Sequence, residues 1–306
     1  MQITVVGAGV IGLSTALLLE RDGHDVRIVA AATGEDTTSA VAGAVWFPYR
    51  VGPPHRVARW AATTRAWLER HATDAGAGID ILDGYEITHE PDEDKLARPW
   101  WAAHIDVVRT PAPCSGAPAA WRFSAPRVEP ARFLPWLARQ LRAPIERRTV
   151  DDLAAEPGDF VVNCTGLGAR ELANDPSLVP LLGQIAVTGV GGTDRSVTIT
   201  DHRDPDAIFY VIPRRDELVL GGCSLAYPAP PAPPADAAIT ARILAQAASL
   251  GLPIGDVTRE RTGLRPYRPT VRLEREGRVI HNYGHGGAGF TLCYGCAEEV
   301  AQLVVG

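Results

Sequence analysis

Residues Gln2 to Val6 are short, apolar and partly β-branched, and read as a strand. From Val10 to Asp22 the apolar positions take helical spacing, and Gly23 stops them. Asp25 to Ala30 reads as a second strand, which completes one βαβ unit. Arg56 to His71 and Pro130 to Leu141 have helical patterns. Pro130 sits near the helix entry, where a missing N–H is harmless, whereas Pro135 argues against the second helix. Phe160 to Cys164 reads as a buried parallel strand and ends in the turn Thr165-Gly166-Leu167-Gly168. Ile185–Thr188, Val197–Thr200, Ile208–Ile212 and Leu218–Leu220 alternate with turn residues and predict an antiparallel or mixed sheet. Tyr227 to Pro234 is a Pro-rich connector, and Asp236 to Leu250 is a helix stopped by Gly251. Val279 to Tyr283 is a strand, and Gly289 to Val304 is the last helix. No internal repeat is evident. The pattern predicts an α/β chain.

Composition narrows the function classes more than the fold. The 46% hydrophobic and 22% charged content of the 306 residues is that of a globular protein with ample material for a core. A net charge of −6 argues against a nucleic-acid partner. The acidic stretch Glu90-Pro91-Asp92-Glu93-Asp94 reads as a solvated loop. No basic leader precedes an apolar core, and no run approaches the roughly 20 apolar residues of a membrane span. The final Leu303-Val304-Val305-Gly306 is not a peroxisomal address, so cytoplasmic residence is the expectation. Cys293 and Cys296 have CxxC spacing, but no second ligand pair stands at zinc-site distance, so reduced structural thiols are favoured over a metal or redox pair. Richness in Ala, Arg, Gly and Pro points to a GC-rich bacterial source.

Three segments carry chemistry. Gly7-Ala8-Gly9-Val10-Ile11-Gly12 is a complete GxGxxG between a strand and a helix. The first glycine permits the tight turn, the second clears space for a pyrophosphate, and the third lets helix and strand pack closely. The acidic residue that usually follows the second strand is missing, since Val29-Ala30-Ala31-Ala32 occupies that place and Glu35 and Asp36 come later. This weakens a nicotinamide reading. In Arg265-Pro266-Tyr267-Arg268-Pro269, a stiffened arginine could grip a carboxylate, although a pair of structural salt bridges is the better reading of that segment alone. His281-Asn282-Tyr283-Gly284-His285-Gly286-Gly287-Ala288-Gly289-Phe290-Thr291 lets backbone approach a planar ligand and sets a helix N-terminus beside it. A flexible glycine loop with structural histidines is the alternative.

Taken together these residues resemble the D-amino-acid oxidase family, nearly end to end. Val5 to Ala16, Thr37-Thr38-Ser39, Val41 to Tyr49, Val161 to Gly166, Gly263 to Pro269 and Val279 to Gly289 are similar to its signatures. The resemblance implies a Rossmann-like FAD-binding domain (residues 1–48, 131–188 and 272–306) interleaved with a mixed-sheet α+β substrate domain (49–130 and 189–271). It implies non-covalent FAD held by Gly7, Ala8, Gly9, Val10, Ile11, Gly12, Thr37, Thr38, Ser39, Gly43, Ala44, Trp46, Thr165, Gly166, Gly263, Arg265, His285, Gly286, Gly287, Gly289, Phe290 and Thr291. Substrate contacts fall to Arg265 and Tyr210 on the α-carboxylate and to the Gly287 carbonyl on the amine, with no side chain as acid or base.

The implied activity is oxidative deamination of small or apolar D-amino acids to 2-oxo acid, ammonia and hydrogen peroxide. The implied partners are that substrate and oxygen, with no nucleic acid, no membrane and, as an open option, a homodimer. Within the family a D-aspartate oxidase is the first rival, with Arg50, Arg214 or Arg215 as its extra cation. A glycine- or sarcosine-type amine oxidase, a non-catalytic flavin-binding protein and a nicotinamide dehydrogenase complete the alternatives. Three departures are expected to matter. The stretch Asp201 to Phe209 is short and lacks a lid tyrosine, which predicts a more open site; Phe47 replaces a glutamine; and Ala31 replaces a polar group near the adenosine.

Overall fold

The computed structural model describes residues 1–90 and 97–306, so the acidic stretch from Pro91 to Asp94 lies outside the described residues. They group into two compact units, residues 1–79, 128–180 and 265–306 in the first and 80–127 and 181–264 in the second. The chain begins in the first unit with β1 (Gln2–Val6), α1 (Val10–Arg21), β2 (Asp25–Ala30) and α2 (Pro54–His71). It passes to the second with β3 (Ile79–Thr88), β4 (Val108–Pro111) and β5 (Ala119–Val128). The first unit resumes with α3 (Pro130–Arg139), β6 (Ile145–Arg147), β7 (Phe160–Asn163) and α4 (Ala169–Leu172). The second resumes with β8 (Val179–Thr188), β9 (Val197–Asp201), β10 (Phe209–Pro213), β11 (Leu218–Gly221), β12 (Leu225–Ala226) and α5 (Ala237–Ser249). Strand β13 (Val257–Glu276) starts in the second unit and ends in the first, followed by β14 (Val279–His285) and α6 (Gly289–Val305).

In the first unit β14, β7, β1, β2 and β6 lie side by side and parallel. Val6 stands opposite both Val29 and Asn163, and Asn163 opposite His281. Three successive parallel strands therefore end on one edge, which is where open α/β sheets bind ligands. Val6, Val29 and Val161 pack with Val150 and Leu153 on one face. Helix α1 is buried nearly all round, as a central helix should be. Its one buried acid, Glu20, accepts from the amides of Arg142 at 2.9 Å and Ala143 at 2.8 Å, so that charge is not left unpaired. Trp67 of α2 stacks on Tyr294 of α6 at 4.8 Å and meets Phe133 of α3 edge-on at 6.1 Å. Helix α3 runs through Pro135, whose lost amide bond is outweighed by burial of Phe133, Leu134, Trp136 and Leu137.

In the second unit the strand order is β4-β5-β3-β9-β10-β11-β8, with β9, β10, β11 and β8 antiparallel and β3 parallel to β9. Ile199, Phe209, Val211, Leu218 and Leu220 form its core with Ile243 and Ala247 of α5. Asp236 caps that helix by accepting from the Ala238 amide at 2.7 Å.

A polar cluster ties β13 to β14 in the first unit. Asp175 accepts from the Tyr283 hydroxyl and from Arg268 Nε, both at 2.8 Å, and Arg272 donates to the same hydroxyl at 3.0 Å. Burial alone would raise the Asp175 pKa, but bonds from Ser177, Tyr283 and Arg268 hold it down at about 2. Tyr283→Phe removes one donor from Asp175 and one acceptor from Arg272. The expected cost is about 1–2 kcal/mol, read as a lower urea midpoint with an unchanged m-value.

Candidate active site

The β1–α1 turn is made of glycines because nothing larger fits. Gly7 has φ +118°, and a Cβ there would stand 2.3 Å from the Cys164 carbonyl oxygen. A Cβ on Gly12 would stand 1.9 Å from the Gly7 oxygen. Both lie far inside van der Waals contact, so the backbone approach requires glycine. Gly9 caps α1 with no side-chain cap, and no acid occupies the first turn. Ser39 Oγ accepts from the Val10 amide at 3.0 Å, which places the Thr37-Thr38-Ser39 stretch beside the turn. What remains is a helix N-terminus suited to an anion. At the end of β2 stands Ala31, and Asp36 beyond it is paired with Arg147 at 2.8 Å.

Helix α6 brings its own N-terminus to the same place. A Cβ on Gly289 would lie 3.4 Å from Val10 Cγ1, and α6 likewise has neither a side-chain cap nor an acid in its first turn. Thr291 Oγ1 donates to the Phe47 carbonyl at 2.9 Å and accepts from its amide at 3.1 Å, pinning the 43–50 stretch to α6. In that stretch Ala44 and Arg50 have positive φ, 58° and 44°, and the Ala44 carbonyl accepts from Val128 at 2.8 Å. Trp46 is buried with its indole N–H on the Ala61 carbonyl at 2.8 Å. The Phe290 ring is buried near Phe133, with centroids 6.0 Å apart.

The loop after β14 meets the arginine segment. The Gly286 amide donates to the Pro266 carbonyl at 2.9 Å. A Cβ on Gly286, where φ is +55°, would lie 2.6 Å from the Arg50 oxygen. A Cβ on Gly287 would lie 2.8 Å from Tyr49 Cδ1 and 3.5 Å from Arg265 Cδ. Gly166 has φ +58° and faces Pro266, whose Cγ is 4.0 Å from its ideal Cβ. Gly7 to Gly12, Ser39, Ala44 to Arg50, Thr165, Gly166, Arg265 and His285 to Thr291 thus gather within the first unit. This bare-backbone cradle between two helix N-termini fits a dinucleotide carrying a planar ring.

Tyr210 and Gly263 belong to the second unit. Tyr210 pairs with Gly221 and lies over it, since a Gly221 Cβ would stand 1.9 Å from the ring's Cζ. The two arginines of the 265–269 segment have different fates. Arg268 is held by Asp175 at 2.8 Å, whereas Arg265 lies against Gly287. Tyr49 closes the Val41 to Tyr49 signature stretch, but its contact with Gly287, remote along the chain, has no sequence signal. All five cysteines are free thiols, and burial pushes Cys164 up to about 12 and Cys293 up to about 11, so these two stay protonated at neutral pH. No helix among the described residues is long and apolar enough to cross a membrane.

His285 is buried, and its Nε2 has no partner among the described residues. Desolvation pushes its pKa down to about 3, so the imidazole is neutral at physiological pH. Its folded pKa lies below the unfolded value of about 6.5, so its contribution is complete above that pH and declines as pH falls towards about 3. Between pH 7 and 5 the unfolding midpoint is expected to drop, and His285→Gln is expected to flatten that slope. An equal slope in both proteins would reject the assignment.

The chain matches the family described as FAD dependent oxidoreductase over residues 2–303. It is 40% identical over 320 residues to a protein of Rubrobacter xylanophilus named D-amino-acid oxidase, covering 99% of this chain and 95% of the relative. A protein of the same name from Streptomyces coelicolor is 38% identical over 313 residues, covering 99% and 96%. The crystal structure of glycine oxidase from Geobacillus kaustophilus has the same fold, with a TM-score of 0.80, 19% identity and coverage of 99% of this chain and 94% of that one.

Proposed function

The chain belongs to the FAD-dependent oxidoreductase family, and from that premise we propose that it oxidises small or apolar D-amino acids at the amine-bearing carbon. The products are a 2-oxo acid, ammonia and hydrogen peroxide. One observation carries the reading beyond the family. Arg265 Cδ lies 3.5 Å from the ideal Cβ position of Gly287, so a guanidinium stem and a bare peptide stand side by side in the first unit. A small amino acid offers the matching pair of groups, a carboxylate and an amine separated by one carbon.

FAD, when bound, supplies the acceptor for the hydrogen and two electrons leaving Cα and passes the electrons to oxygen. The Gly7 to Gly12 turn, with Ser39, would hold its pyrophosphate on the α1 N-terminus. Thr165, Gly166 and the His285 to Thr291 loop would lie along its ring system, and the α6 N-terminus would favour negative charge there. Arg265 grips the substrate carboxylate through two parallel hydrogen bonds. The Gly287 carbonyl accepts from the amine, which must be neutral for its lone pair to form the imine as Cα is oxidised. Holding both ends fixes Cα, and that orientation itself lowers the barrier without an acid or base at Cα. The imine then hydrolyses in water. A D-aspartate preference is not favoured, since the relatives of 40% and 38% identity both carry the name D-amino-acid oxidase.

The test is a peroxide assay of the flavin-loaded protein across D- and L-amino acids. Turnover is expected on apolar D-isomers, and activity confined to L-isomers would reject the proposal. Arg265→Ala is expected to retain yellow flavin and to lose on the order of 10²–10³-fold in kcat/KM, chiefly through KM, as truncation of a charge-paired binding group does.

A further inference from the structure

A buried hydrogen-bond chain runs from the first unit's surface to the Thr165–Gly166 turn, and its donors and acceptors can be assigned without ambiguity. Both the Thr165 amide, at 3.3 Å, and its hydroxyl, at 2.7 Å, reach the same side-chain atom of Asn163. A backbone N–H only donates, so that atom must be the carboxamide oxygen. The Asn163 amide nitrogen therefore faces the other way, 3.3 Å from His281 Nδ1. The nitrogen only donates, so Nδ1 must be bare and the imidazole proton must sit on Nε2. Nε2 in turn lies 3.2 Å from Glu276 Oε2, an acceptor, so every link agrees in direction.

Asn163 and His281 are both buried, and Glu276 is exposed. The charged groups around His281 come from β13. They are Glu276, Glu274 and Arg272, while β7 contributes only the neutral Asn163. Burial first, and then the Arg272 charge, lower the His281 pKa against the two carboxylates, so the neutral form that this chain requires is the favoured one.

We infer that Asn163 and His281 are positioning residues for the Thr165–Gly166 turn, with His281 acting only by orienting the Asn163 carboxamide. The inference rests on the reading that this turn lies against the flavin. A protonated or absent His281 Nδ1 acceptor frees the carboxamide to turn over, which withdraws the oxygen from both Thr165 donors. The turn then loses the two bonds that fix its amide and hydroxyl.

The experiment uses holoprotein. FAD dissociation is read from flavin fluorescence on dilution for Asn163→Leu, His281→Leu, His281→Asn and Thr165→Val. The two leucine variants are expected to bind FAD about tenfold more weakly, the size expected for losing one or two buried hydrogen bonds. His281→Asn places an amide oxygen near the former Nδ1 and is expected to return affinity to within about threefold of native. Native affinity in both leucine variants, with weakened binding in Thr165→Val, overturns this inference alone. Native affinity in Thr165→Val overturns the placing of the turn on the flavin, and the inference with it. A second readout does not depend on variants folding. In native protein labelled with nitrogen-15 histidine, His281 must show a bare Nδ1 and a protonated Nε2, and the reverse tautomer would refute the chain.

Discussion

The site depends on contact between three stretches of bare backbone. Gly12 presses on the carbonyl of Gly7, and Gly7 presses on the carbonyl of Cys164. The first contact seats α1 directly on the end of β1, and the second brings the end of β7 against the same turn. β14, β7 and β1 are parallel neighbours, so the loops that follow them are gathered on one edge before any side chain is chosen. A methyl group at Gly7 or Gly12 would force backbone apart by roughly an ångström, and no flexible side chain is available to yield.

That edge is polarised by dipoles rather than by a cluster of full charges. The N-termini of α1 and α6 meet through Val10 and Gly289, and neither first turn holds an acid that would neutralise them. Each helix end favours an anion by about 0.3–1 kcal/mol when exposed, and by up to about 2 when partly buried. The neighbouring His285 adds no charge, since burial keeps it neutral. Full positive charge in the 265–269 segment is divided between two tasks. Arg268 turns to Asp175, while Arg265 lies against Gly287.

This division explains what was legible in the sequence. The glycine turn and the short β-branched runs were readable because their constraints are local: a φ only glycine adopts, or a strand buried on both faces. Helix α3 was harder to read because Pro135 contradicts a pattern that tertiary burial of Phe133 and Trp136 restores. Strands β3 and β5 gave no readable alternation, since Gly84 and several charges interrupt them and Arg122 is satisfied by Asp83 at 2.8 Å on a neighbouring strand. The two arginines carry the same local signal; the family resemblance singles out Arg265, and their separate long-range partners give the physical difference. Tyr49 beside Gly287, and Asn163 between Thr165 and His281, depend on pairings that no spacing encodes.

Strand β13 shows why a segment that looks like a loop can hold the site together. Its pairing with β14 shifts register between Tyr267 opposite His285 and Arg272 opposite Tyr283, so five steps on β13 match two on β14. Pro266 and Pro269 lie at and within this irregularity, and neither has an N–H to give to a ladder. The displaced backbone is used instead. The Pro266 carbonyl accepts from Gly286, the Val271 amide donates to Gly52 at 2.8 Å, and the Pro269 oxygen lies 2.6 Å from an ideal Gly52 Cβ. The bulge thereby seats the chain around Gly52, and that chain carries Tyr49 and Arg50 to Gly287 and Gly286. The prolines that hid the strand from its own sequence are the reason the first unit can bring the arginine segment, the aromatic stretch and the glycine loop together.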